Sequence, residues 1–185
     1  MPTAAFTHKP VLTGELVQLR PVMAADAPGL VALARDEAGS HSASPGGAGL
    51  RDLAAAQRWY GTCGQRTDRL DLAVVERATD GFIGEAVLSN LDPYNASCTF
   101  RLALLGPYGD GHRAEAAGLV LAHAFDVAGM HRIETQTAAH ENRIRAAYEA
   151  AGFVHEGTRR EAIAVDGARV DLHVLAALAD DRDER

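Results

Sequence analysis

The sequence predicts an α/β (α+β) domain in which a central, mostly antiparallel sheet is flanked by helices. Three observations carry this. Period-two runs and longer 3.6-residue patterns follow one another in the order β α α β β β α β α β β. Asp80-Gly81 and Asp166-Gly167 each join two apolar runs, and Asp-Gly in that setting is a strong signal for an antiparallel hairpin. A glycine-rich segment, Gly106–Gly111, feeds a long alanine-rich helical pattern.

The elements follow in order. Leu16–Arg20 alternates apolar and polar residues and stops at Pro21, so it reads as a strand. Ala27–Arg35 is rich in Ala and Leu, and Asp26 stands where a capping residue belongs. Gly39–Gly49 is rich in Ser, Gly and Pro and reads as a loop. Leu50–Arg66 reads as a second helix, with Trp59 and Tyr60 near its end. Leu72–Arg77 and Phe82–Ser89 form the first hairpin, and Ser97–Leu105 adds a third strand after the turn at Asp92-Pro93. The long helix is expected over Arg113–Ala128, stopped by Gly129. His131–Thr137 reads as a strand and Glu141–Ala151 as a short helix closed by Gly152. Val154–Ala164 and Arg169–Ala176 form the last hairpin, and the charged tail from Asp180 is expected to fray.

Composition narrows the function. With 185 residues, 47% of them hydrophobic, the chain suits one domain with a sizeable core. The expected division is an extension at 1–10, a domain at 11–178 and a tail at 179–185. No apolar run approaches the ~20 residues of a membrane span, and MPTAAFTHKPVL lacks the layout of a signal peptide. A cytoplasmic protein is expected. Cys63 and Cys98 lie far apart and read as free thiols. The eight histidines lack metal-ligand spacing, so no metal is expected. A net charge of −7 argues against a nucleic-acid surface and favours attraction of a cationic amine.

The chemistry is expected at the junction of strand, glycine-rich loop and helix. A helix N-terminus opened by glycines offers backbone N–H groups and a favourable dipole to an anion. Tyr108-Gly109-Asp110-Gly111-His112-Arg113-Ala114-Glu115-Ala116 is followed by a strand, then by ENRIRAAYEAAGF and Val-x-x-Gly. Together with LTGELVQLRPVMAADAPGL and DGFIGEAVL, this series resembles the GNAT superfamily of acyl-CoA-dependent N-acetyltransferases, in particular its RimJ/RimL-like branch. The resemblance spans roughly residues 11–178.

The resemblance implies acetyl-CoA, or another acyl-CoA, as co-substrate and a primary amine of a small molecule or a protein N-terminus as acceptor. A homodimer follows by the same analogy. It implies a splayed strand pair that receives the pantetheine arm through the main chains of Leu102, Ala103 and Leu104. Gly109, Asp110, Gly111, His112, Arg113 and Ala114 fall on the phosphate loop, Asn142 beside the usual asparagine position, and Tyr148 on the general acid. The loop departs from the family pattern at three places. Tyr108 replaces a basic residue, Asp110 brings a negative charge, and Arg113 replaces a small residue. Glu85 and Glu134 are the candidate bases, both expected on strand surfaces. Trp59 and Tyr60 are candidates for the acceptor pocket. Two rival readings keep the fold: a non-CoA acyl donor such as aminoacyl-tRNA, or a binding module without turnover.

Overall fold

The computed structural model describes residues 6–36, 52–106, 108–165 and 167–182. The expected loop at 39–49, the start of the second helix at Leu50 and Arg51, and Asp166 of the last turn lie outside them.

One eight-stranded sheet runs through the domain. Its strands are β1 (Leu12–Thr13), β2 (Val17–Pro21), β3 (Leu70–Glu76), β4 (Gly81–Asp92), β5 (Ser97–Leu104), β6 (Arg132–Ala138), β7 (Val154–Val165) and β8 (Ala168–Leu178). They lie in the order β1-β2-β3-β4-β5-β6-β8-β7. Only β5 and β6 run parallel; the other neighbours are antiparallel. The predicted class and order of elements therefore hold, with β1 as an addition too short to show in any sequence period.

Among the described residues four α-helices cover the two faces: α1 (Ala27–Arg35), α2 (Leu53–Cys63), α3 (Asp110–Asp126) and α4 (Asn142–Ala151). Strand alternation sorts the side chains. Leu72, Val74, Ala86, Leu88, Phe100, Leu102 and Leu104 join Ala117, Val120, Leu121 and Tyr148 in the larger core, beneath α3 and α4. Ala73 and Val75 turn to the other face and meet Leu30, Val31, Ala56 and Tyr60 of α1 and α2. Phe6 is fully buried in the larger core, so residues 6–10 pack with the domain.

Several local expectations are corrected. Asp26 does not cap α1 with its side chain. It closes a 3-10 turn, and its carboxylate takes the N–H of Met23 at 2.9 Å and both terminal nitrogens of Arg20 at 2.7 and 2.8 Å. An arginine fork satisfies a carboxylate better than one helix N–H does. Asp52 does cap α2, accepting from the N–H of Ala55 at 2.9 Å. The long helix begins at Asp110, not Arg113, so Gly111 is helical. Asp180–Arg182 forms a 3-10 turn where fraying was expected.

Glu115, on the first turns of α3, ties this helix to the opposite end of the chain. Its carboxylate accepts the N–H groups of Glu15, Leu16 and Val17 at 2.7, 2.8 and 2.8 Å. Gly14 leaves room for it: a Cβ there would lie 2.5 Å from the carboxyl carbon. This clamp fixes the height of the α3 N-terminus over the sheet.

Candidate active site

The site is the fork between β5 and β6. The two strands pair only at Ser97–Arg132, Cys98–Ile133 and Thr99–Glu134, then diverge. On its other side β5 stays paired with β4 as far as Leu104–Gly84. The Leu105 N–H donates to the Ile83 carbonyl at 2.9 Å, which sets the phase of this antiparallel ladder. Backbone groups alternate in direction along a strand. Ala103 and Arg101 therefore exchange bonds with β4, whereas the main-chain groups of Leu102 and Leu104 face the fork. Of the three candidate main chains, two open onto the gap and Ala103 is spent within the sheet.

Tyr148 reaches this gap from α4. Its side chain is fully buried, set edge-on to Phe100 at a centroid distance of 6.0 Å and tilted against Phe153 at 5.5 Å. Gly152 stops α4 in the left-handed region (φ 118°), and its N–H returns to the Tyr148 carbonyl at 3.1 Å. The Tyr148 hydroxyl is buried and makes no hydrogen bond of ordinary geometry with the described residues. Burial pushes its pKa up, while Arg113 and Thr135 pull it down.

The loop residues take three different directions. Asp110 points outward and pairs with Arg143 of α4 at 3.1 Å, so its charge is offset by a cation across the mouth of the fork. His112 leans toward Glu76 at 3.7 Å and packs edge-on against Tyr108. Arg113 turns inward, 7% exposed, and donates from Nη1 to the Leu102 carbonyl at 3.3 Å. Gly109 and Gly111 are exposed, and Ala114 is half-buried. Gly109 stands at the N-cap of α3 with no side chain to fill the position.

Asn142 is exposed at the start of α4. Glu141 instead does the local work: its carboxylate accepts the Thr137 hydroxyl at 2.9 Å and the Ala138 N–H at 3.0 Å. Glu141 sits at the N-cap of α4, so this contact locks the helix to the end of β6.

The two candidate bases lie in unlike surroundings. Glu85 was expected on a strand surface, but it is 2% exposed, on the α1–α2 face. It holds Arg101 at 2.7 Å, and its charge is the nearest one felt by the Tyr60 hydroxyl. Glu134 sits at the last paired position before the fork, half-exposed, bonded to Arg132 at 2.9 Å. Glu156 shares the same arginine.

Tyr60 is 1% exposed, its hydroxyl is buried without a hydrogen bond among the described residues, and burial drives its pKa far upward. Trp59 carries the guanidiniums of Arg69 and Arg66 over its ring at 4.9 and 5.8 Å. Trp59 is partly buried and packs against the same α1–α2 cluster that encloses Tyr60. Among the described residues no cluster of His, Cys, Asp or Glu could hold a metal ion, and no helix is long and apolar enough to cross a membrane. A concavity of about 300 Å³ between α3, α4 and the end of β8 lies away from the fork and carries no ionisable side chain.

A sheet split between parallel neighbours, with a glycine-opened helix on one lip and a buried tyrosine on the other, defines an acyltransferase fold. The chain belongs to the acetyltransferase (GNAT) domain family, which it matches over residues 17–154. Solved structures agree on the fold. A chimera of the Vibrio cholerae spermidine N-acetyltransferase SpeG and hSSAT superposes with a TM-score of 0.79 at 19% identity, covering 92% of this chain and 100% of that one. A GCN5-related N-acetyltransferase from Brucella melitensis gives 0.70 at 24% identity, covering 94% and 80%. A probable acetyltransferase from Chromobacterium violaceum gives 0.71 at 22% identity, covering 95% and 89%. Comparison with curated proteins returns no match.

Proposed function

We propose that this chain transfers an acetyl or other acyl group from acyl-CoA to a primary amine, carried by a small molecule or a protein N-terminus. The observation that carries the reading is the fork itself: main-chain groups of Leu102 and Leu104 facing a gap, beside the buried hydroxyl of Tyr148. These features fit an acyl-CoA. The main chain of β5 can take an extended amide arm as an added strand. Gly109, Gly111, His112 and Ala114 at the α3 N-terminus present backbone to an anion, and Arg143 and Asn142 stand on the facing helix.

Acyl-CoA supplies an activated thioester. One of the two fork-facing N–H groups, that of Leu102 or that of Leu104, would donate to the acyl oxygen as negative charge gathers there. Tyr148 would give its phenolic proton to the departing sulphur; burial holds that proton on the phenol until negative charge gathers on sulphur. The amine proton leaves on the opposite face. Glu134 is the carboxylate that a hydrated amine can approach, whereas Glu85 lies beneath Tyr60 and holds Arg101. Trp59, with Arg66 and Arg69 over its ring, lies beside Tyr60 on the side proposed for the acceptor. The reading places the protein in the cytoplasm, as a homodimer of the RimJ/RimL-like branch.

The test is release of free thiol from acetyl-CoA in the presence of a broad amine panel. Wild type should turn over at least one amine, and Tyr148→Phe should lower kcat on it by about 100-fold. An unchanged kcat in that variant would remove Tyr148 from the chemistry.

A further inference from the structure

Arg113 is a buried cation that the reaction scheme above does not use. Its side chain leaves the first turn of α3 and runs inward, away from the exposed glycines that would meet phosphate. It forms no ion pair among the described residues, and its hydrogen bond to the Leu102 carbonyl is long at 3.3 Å. That carbonyl faces the fork. Beside it lies the buried Tyr148 hydroxyl, which Arg113 and Thr135 both face without a hydrogen bond of ordinary geometry. An isolated guanidinium is expensive to bury. A site that holds one beside a buried phenol is built to receive an anion at that point.

We infer that Arg113 supplies the charge that stabilises the thiolate released from the acyl donor; this rests on the acyl-CoA reading. The C–N bond to the acceptor forms as the C–S bond breaks, and sulphur leaves with the bonding pair. Arg113 offsets that charge until sulphur is protonated. The groups facing this point are Tyr148 from α4, Thr135 from β6 and, with opposing sign, Glu141 at the start of α4. Arg113 is the cation among them. The departure from a small residue at position 113 thus serves the sulphur end of the donor rather than its phosphates.

The test uses free CoA and its sulphur-free analogue, desulfo-CoA, so no acceptor is needed. Thiolate absorbance of CoA bound to the full chain is followed against pH in wild type, Arg113→Lys and Arg113→Met. Wild type should hold the bound thiol at least one pH unit below the thiol of free CoA titrated alongside it. Arg113→Met should return it to that value or above, and Arg113→Lys should keep part of the shift. At pH 8, CoA should bind wild type about tenfold more tightly than Arg113→Met, while desulfo-CoA binds both alike. Arg113→Met should melt no lower than wild type, since it removes an uncompensated buried charge.

An equal thiol pKa in wild type and Arg113→Met would overturn the inference. So would an equal loss of affinity for desulfo-CoA in that variant, which would assign Arg113 to the phosphates or the fold. Failure of wild type to bind either ligand would overturn the acyl-CoA reading itself, and this inference with it.

Discussion

Tyr148 joins packing to the proposed chemistry. Its ring fills the larger core between Phe100 and Phe153, while its hydroxyl makes no hydrogen bond of ordinary geometry among the described residues. An unmet buried hydroxyl costs about 1–3 kcal/mol. Tyr148→Phe should therefore melt no lower than wild type even as turnover collapses, a separation that thermal unfolding and kinetics read side by side. A purely structural tyrosine would not divide in this way. The residue was legible in the sequence because Tyr-x-x-x-Gly-Phe is a local pattern that places it one turn before a helix stop. Arg113 was legible as a departure, but not as a buried group. Its direction depends on where α3 begins, and that start lies at Asp110 rather than at Arg113 itself. Glu85 misled for a related reason: strand alternation gives the face of a side chain, but not that α2 lies over it.

Between elements, the clamp made by Glu115 has the largest reach. One carboxylate satisfies three N–H groups about a hundred residues away in sequence, anchoring the α3 N-terminus to the start of β2. Charge-assisted bonds of this kind are stronger than neutral ones. Glu115→Gln should cost about 2 kcal/mol, read by denaturant unfolding. Gly14→Ala should cost a similar amount, because the new methyl displaces the same carboxylate. The double variant should cost little more than either single one; full additivity would deny that the two changes break one contact. Helix and strand types were legible from period and turn residues, as the match at Ala27–Arg35 and at both hairpins shows. Long-range clamps were not. Asp26 looked like a cap until Arg20 offered a better partner, and nothing near Glu115 announces Glu15–Val17.

For the whole molecule, burial governs the response to high pH. Cys63 and Cys98 are both buried, and burial pushes each thiol from an ordinary value of 9.0 up to about 12. Above pH 9 the unfolded chain loses these protons while the native chain keeps them. The native state then binds more protons, so stability is intact below about pH 9 and falls as pH rises toward 12. The same burial predicts that neither thiol is labelled by a disulfide reagent at pH 8 in the native protein, and that both are labelled once urea unfolds it. Rapid native labelling of either cysteine would contradict the packing described for that residue.

The account stands on the fork as the seat of acyl-CoA, and calorimetric titration of acetyl-CoA into the purified chain tests that most directly. It predicts saturable binding with one site per chain and a dissociation constant in the micromolar range, about −8 kcal/mol. Absence of heat at millimolar acetyl-CoA would contradict it, and would leave the split sheet to a different acyl donor or to a role without turnover.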